Sequence, residues 1–277
     1  MTISHKVLYN VRTSSHYMTR KKASAYAGRA GKIGNWANLD ILREQRTGIP
    51  ELVLCDGKRK DHLKAIVDRL LTVRGKAIVT RLGPGTEGML RALAKTRGAD
   101  IEVNRHARLA VLRTRKARGR MPIALMGHVA IIAAGTADHA IGEEARMVAK
   151  ELGCDVEAVY DVGVAGLHRL VVHLHENVNK GVDVYIVVAG REGTLPTIVA
   201  GLVDAPVIGV PVSTGYGKGG RGEAALLTML QSCTPVLVVN IDAGCIAGAV
   251  AAQIANRMAG ARAGKGPRRG RDNPGGR

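Results

Sequence analysis

The chain has 277 residues, enough for one large or two modest domains, and 46% of them are apolar while phenylalanine is absent and aromatics make up only 3%. A core built without phenylalanine must come from Val, Ile, Leu and Ala, the mixture that suits parallel sheets buried on both faces. No apolar run reaches the ~20 residues of a membrane helix, and the amino terminus lacks a signal-peptide apolar region, so a soluble, cytoplasmic protein without a membrane partner is expected.

Cys55, Cys154, Cys233 and Cys245 are scattered, with no Cys-x-x-Cys among them. That spacing makes poor zinc ligands and a poor disulfide framework. The formal charge of +18 favours anionic partners: nucleotides, phosphorylated metabolites or nucleic acid. Much of it lies in segments that read as peripheral, namely Arg20-Lys-Lys22, Arg105 to Arg120, and the tail after Gly260. No stacking aromatics interleave these runs, which weighs against single-stranded nucleic acid.

In chain order, residues 1–38 show little periodicity and read as a flexible basic arm. Residues 39–121 read as a small α/β domain. Leu39 to Arg46 is a short helix stopped by Thr47-Gly48-Ile49-Pro50. Glu51–Cys55 and Lys76–Thr80 are strands, and Ile101–Arg113 holds one or two more. Leu63, Ile66, Val67 and Leu70 recur at helical spacing within Asp61–Val73, and Glu87–Lys95 is a second helix. The basic stretch closed by Pro122 marks the boundary.

Residues 122–258 become strongly regular. Strands are expected at His128–Ala134, Val156–Val162, Val184–Ala189, Val207–Val212 and Val236–Ile241. Helices are expected between them at Ile141–Leu152, Leu167–Asn179, Pro196–Leu202 and Glu223–Gln231, with a last one from Ala247 to Met258. Strict β-α alternation implies right-handed crossovers and an α/β fold with a three-layer, mostly parallel five-stranded sheet. Residues 259–277 read as a disordered basic tail.

Each of these strands runs into a polar loop: Gly135 to Asp138, Asp161 to Arg169, Gly190 to Gly193, Ser213 to Gly222, and Asn240 to Asp242. Open α/β sheets place ligands at that carboxyl edge, so a shared site is favoured over solvated turns. In the loop Ala189-Gly-Arg-Glu-Gly-Thr-Leu-Pro196, Glu192 is a candidate acid/base and Arg191 a candidate anion contact. The alternative for this loop is a βα turn with solvated charges. Gly215-Tyr-Gly217-Lys-Gly-Gly220 fits G-x-G-x-x-G between a strand and a helix, with Asp242 some twenty residues on. It sits late in the sheet, which points to phosphate contact by its amides and not to a nicotinamide fingerprint.

Several motifs carry a resemblance. They are Ala134-Gly-Thr-Ala-Asp138, Tyr160-Asp-Val-Gly-Val-Ala-Gly-Leu-His-Arg-Leu170, Val188 to Pro196, Gly201 to Pro211, Gly215-Tyr-Gly217, Gln231-Ser-Cys233 and Val239-Asn-Ile-Asp242. With Arg46-Thr-Gly-Ile-Pro-Glu51 they resemble the AIR carboxylase (PurE) superfamily. Within it they look most like the LarB family of nickel-pincer cofactor biosynthesis, over Leu39 to Met258. Ala137 stands where LarB chains usually carry a serine, and Ala243 where they carry an asparagine.

The resemblance implies a PurE/flavodoxin-like fold and a homo-oligomer, an octamer in many members. It implies carboxylation of nicotinic acid adenine dinucleotide at ring C5 by CO2 or bicarbonate. Cleavage of the phosphoanhydride then releases AMP and pyridinium-3,5-biscarboxylic acid mononucleotide. A pyridinium carbon is electrophilic, so C5 attacks CO2 only after a soft nucleophile has added at C4, a task that suits a thiolate.

By the resemblance Cys233 is that nucleophile, Glu192 the base, and His168 with Arg169 position CO2 or a carboxylate. Thr136, Asp138, Gly190, Arg191, Ser213, Gly215, Tyr216, Gly217 and Asp242 contact substrate, and Asp138 is the residue chosen to hold Mg2+. Read from the residues alone, Cys233 is a small buried group before a strand, in preference to a nucleophile, and His168 a satisfied core histidine. Glu143 and Glu144 read as first-turn residues complementing a helix dipole.

Overall fold

The computed structural model describes residues 31–118 and 127–264. The boundary at Pro122, most of the amino-terminal arm and most of the carboxyl-terminal tail lie outside these residues. Two short antiparallel strands, β1 (Lys32–Ile33) and β2 (Ala37–Asn38), open the described chain. Ile33 and Leu39 pack on the amino-terminal core, so residues 31–38 are folded and not part of an arm.

The first unit continues with α1 (Arg43–Thr47), which ends where Gly48 adopts φ 78°, then β3 (Leu52–Leu54) and α2 (Lys60–Arg74). Next come β4 (Lys76–Thr80), α3 (Thr86–Arg97), the hairpin β5 (Ala99–Asn104) and β6 (Leu109–Thr114), and a turn of helix, α4 (Arg115–Arg118). The sheet order is β3-β4-β6-β5. The pair β3/β4 is parallel, as a βαβ crossover requires, and the others are antiparallel. Leu63, Ile66, Val67, Leu70 and Leu71 of α2 are buried on one face, each worth roughly 1.5–3 kcal/mol relative to exposure.

The second unit alternates without interruption. Its elements are β7 (His128–Ala133), α5 (His139–Glu151), β8 (Asp155–Val159), α6 (Leu167–Asn179), β9 (Val184–Ala189), α7 (Leu195–Ala200), β10 (Val207–Pro211), α8 (Glu223–Leu230), β11 (Val236–Val238) and α9 (Gly244–Arg262). All five strands are parallel, in the order β11-β10-β9-β7-β8. Alternate residues face opposite layers. Val129, Ile131, Val184, Ile186 and Ile208 meet the alanines of α5 and α9. Ala130, Ile132, Tyr185, Val187 and Val207 meet Leu170, Leu195, Val199 and Met229 of the helices on the other face. Helix α9 lies on α5 at backbone distance: a Cβ at Gly248 would fall 2.4 Å from the Ala145 carbonyl oxygen, and one at Gly244 2.4 Å from that of Ile141.

Strands β8 and β11 are shorter than expected, ending at Val159 and Val238. Beyond them Asp161 and Asp242 take left-handed backbones (φ 59° and 55°), which breaks the extended run. At the other end the predicted tail starts too early, because α9 continues to Arg262. There Arg262 Nη2 donates to Asp183 Oδ2 at 2.9 Å, and this ion pair against a buried aspartate holds the last turn.

The two units share an apolar seam: Ile78, Ala107, Leu109 and Val111 pack on Met147, Val148 and Ala249. Polar contacts flank it. Lys76 and Arg113 both reach the buried Glu151, and Gln253 Nε2 donates to the Thr47 carbonyl at 2.6 Å. No helix among the described residues is long and apolar enough to cross a membrane.

Candidate functional site

The chain winds from β7 to β8 on one side and then to β9 on the other, so the strand order reverses between β7 and β9. A crevice opens at the carboxyl ends there, and the loops carrying Asp138 and Gly190 face each other across it. Asp138 joins them. The Gly135 amide donates to Asp138 Oδ2 at 2.9 Å, and Thr214 Oγ1, from the loop after β10, donates to Oδ1 at 3.3 Å. The Gly190 amide is a further donor. Burial pushes the Asp138 carboxyl above the usual range, and these donors act in the opposite sense while the charge of Glu192 adds to the rise.

This engagement bears on the metal expected at Asp138. Both of its oxygens are committed to loop donors, and no group of three or more His, Cys, Asp or Glu suited to a metal occurs among the described residues. The residues present do not fit Mg2+ at Asp138. Asp138 is a latch between loops.

Gly190 has no room for a side chain: its Cβ would lie 2.5 Å from Thr214 Oγ1 and 3.0 Å from Asp138 Oδ1. Gly190→Ala is expected to retain the fold but lose roughly 1–3 kcal/mol by overpacking. Adding Thr214→Ala, which removes the clashing oxygen, should recover part of that loss in denaturant titrations, whereas simply additive losses would contradict the latch.

The same loop presents two charges. Arg191 and Glu192 are exposed, and Arg191 takes a left-handed backbone (φ 48°) that aims its guanidinium over the Tyr216 ring, 4.6 Å from the centroid. Gly193 (φ 68°) packs against the backbone of Ala225 in α8, where a Cβ would sit 2.6 Å away. Tyr216 itself is 78% exposed. Across the loop the Ser213 amide donates to Asp242 Oδ1 at 2.9 Å. Gly215 and Gly217 sit between, Gly217 with φ 76°. Thr136 is exposed beside Asp138. These residues form one polar rim.

His168 and Arg169 lie at the start of α6, after the loop that follows the edge strand β8. His168 is exposed and not a core histidine. Arg169 Nη1 donates to Asp161 Oδ2 at 2.9 Å, so the guanidinium is tied to its own loop. They stand at the same sheet edge as Glu192, on the far side of β7.

Cys233 does not join them. It precedes β11, whose first residue Val236 is in register with Val207, the first of β10. It therefore lies beyond the amino edge of the parallel sheet, opposite Glu192. The six residues of β9 alone separate the two edges by about 17 Å. The thiol is exposed, not a buried apolar group. Its neighbour Ser232 accepts from Thr197 Oγ1 at 3.0 Å and receives the Thr234 amide at 3.2 Å, which pins the turn.

The other cysteines are shielded. Cys55 is buried against Thr86. Burial pushes the Cys154 thiol up to about 12, and burial with the adjacent Glu144 carboxylate pushes Cys245 up as well.

Two carboxylates have roles that their sequence pattern conceals. Glu143 is buried and accepts from Arg146 Nε and Nη2 (2.6 and 2.7 Å), from Asn104 Nδ2 of the first unit (2.6 Å) and from the Tyr160 hydroxyl. Burial pushes its carboxyl up, but the Arg146, Tyr160 and Asn104 donors outweigh it and hold the group at about 2. Glu144, also buried, accepts the Cys245 amide at 3.2 Å, and burial raises its carboxyl. Neither is a first-turn dipole residue. Tyr160, which leads into the Asp161 loop, stacks obliquely on His139, which in turn meets His106 of the first unit.

Comparison with known proteins covers both units. A model described as AIR carboxylase matches residues 128–263, and one described as LarB/PurE-like N-terminal domain matches residues 31–115. An uncharacterized protein of Methanocaldococcus jannaschii is 39% identical over 213 residues, 76% of this chain and 80% of its own. An N5-carboxyaminoimidazole ribonucleotide mutase of the same organism is 37% identical over 119 residues, 42% of this chain and 71% of that enzyme. One from Pyrococcus abyssi is 34% identical over 123 residues, 42% of this chain and 67% of that enzyme. With a parallel five-stranded sheet of the flavodoxin-like order and both units matched in turn, the chain belongs to the AIR carboxylase family, with a LarB/PurE-like N-terminal domain ahead of its carboxylase unit.

Proposed function

We propose that the protein is a LarB-type carboxylase/hydrolase acting on nicotinic acid adenine dinucleotide. The observation that carries this reading is the pairing of units: the similar purine mutases align with only about two-fifths of the chain (42%), whereas the LarB/PurE-like N-terminal domain accounts for residues 31–115. The exposed Cys233, alongside three shielded thiols, is consistent with it.

In this reading the Cys233 thiolate adds to ring C4, forming a C–S bond and converting the pyridinium to an enamine. Carbon C5 then attacks CO2, forming the C–C bond and leaving an iminium. Glu192 takes the proton from C5, and the electron pair returns to the ring. Expulsion of the thiolate restores the aromatic cation. Water cleaves the anhydride and AMP leaves; no step is assigned to a metal here.

Glu192 and Cys233 sit at opposite edges of one chain, so the thiol in this scheme belongs to a second copy. Leu227 and Leu230 before the turn that bears Cys233, and Leu237 after it, are each more than half exposed and suit such a contact.

The test is incubation with nicotinic acid adenine dinucleotide, bicarbonate and Mg2+, followed by mass spectrometry. AMP and a doubly carboxylated pyridinium mononucleotide are expected. The second reading, favoured by the names of the similar mutases, is rearrangement of N5-carboxyaminoimidazole ribonucleotide, which needs no thiol. Turnover of that compound with no change in the dinucleotide would replace the first reading by the second.

A further inference from the structure

A cleft of about 540 Å3 opens between the two units. It is lined by Arg91 of α3, Arg105 beyond β5 and Arg146 of α5, together with Glu102, Val103, Asn104 and Met147. That volume is within the range of nucleotide-sized ligand sites.

The three guanidiniums are held alike. Arg91 and Arg105 each use Nε and Nη2 on the same carboxylate, Glu87, at 2.8–3.1 Å. Arg146 uses Nε and Nη2 on Glu143 at 2.6 and 2.7 Å. Among the described residues the Nη1 edge of each makes no hydrogen bond. Glu87 is shared by two cations, and Glu143 is matched by one. Glu102, the remaining acid of the wall, is engaged by Arg113 at 3.1 Å. Arg113 also pairs with the buried Glu151, so the four guanidiniums and four carboxylates of this network balance. Carboxylates behind the guanidiniums fix their planes, so the entropy of ordering three long side chains is spent before a ligand arrives.

Three oriented donor edges around a polar, open cleft, in a chain of net charge +18, match the needs of vicinal phosphate groups, which accept from guanidinium forks. We propose that this interdomain cleft binds a small phosphate-bearing polyanion, at a site separate from the one built by the loops after β7 and β9. The site joins both units, with donors from α3 and beyond β5 in the first and from α5 in the second, so an occupant bridges them.

The experiment is calorimetric titration of the full-length protein with inorganic pyrophosphate at low and at 0.3 M salt. Wild type and Arg191→Ala, which alters only the carboxyl-edge rim, should bind alike. Arg105→Glu should weaken binding at least tenfold, and Arg91→Ala should weaken it several-fold. Arg105 is 81% exposed in its side chain, so its reversal leaves the core untouched, and unchanged melting of the variant checks this. Absence of binding to wild type would overturn the proposal. So would a loss confined to Arg191→Ala, or equal affinity in Arg105→Glu and wild type. None of these outcomes depends on the dinucleotide reaction.

Discussion

Co-assembled Cys233→Ser and Glu192→Gln chains are expected to regain activity that neither variant has alone. In the proposed reaction each single variant should lose about 10³-fold or more in turnover, because removing the nucleophile or the base at ring C5 disables a unit that acts together. In a mixed assembly a working site needs an intact Glu192 from one chain and an intact Cys233 from another. Equal amounts assembled at random should therefore recover about a quarter of wild-type activity. The basis is the topology: Glu192 follows a parallel strand and Cys233 precedes one, which puts them at opposite edges of the sheet. Coexpression with two affinity tags, followed by tandem purification, isolates the mixed species. Recovery no greater than the sum of the single variants would rule out a shared site. Full activity of Cys233→Ser would remove the thiol from the chemistry altogether.

Glu143→Ala should be among the most destabilising substitutions at the seam. It would strip the acceptor from Arg146, Asn104 and the Tyr160 hydroxyl at once. Removing one partner of a buried ion pair costs about 3 kcal/mol or more, equivalent to roughly 6–12 °C in a domain of this size.

The pH dependence follows from the sign of the shift. The carboxyl titrates at about 2 in the folded protein against 4.5 ordinarily. Its contribution is present above the higher value and is lost as pH falls from there toward 2. Wild type should therefore lose stability more steeply than Glu143→Gln between pH 5 and 2, as followed by thermal melts. Parallel curves would mean that Glu143 is not the titrating anchor.

Much of the second unit was legible because its strands are runs of Val and Ile bounded by glycine-bearing loops, and period alone separates them from the helices. Val184–Ala189 is recovered residue for residue. The loops at one edge were legible for the same reason, since every residue that follows a parallel strand shares that edge.

The edge at which Cys233 stands was legible too, since a residue just before a parallel strand lies opposite the loops that follow the strands. Glu143 and Glu144 were not legible, because their partners Asn104, Tyr160 and Cys245 come from distant segments. An acidic pair early in a helix looks the same whether it is solvated or enclosed.

The absence of side chains where α9 crosses α5 has a mechanical consequence. With Gly244 and Gly248 against the carbonyls of Ile141 and Ala145, the two helices mesh like keyed shafts, and neither can slide or roll without collision. Asp138, at the head of α5, is thereby indexed to the backbone of α9. A movement that widens the crevice must swing both helices as one beam, or leave them still and flex the loops opposite.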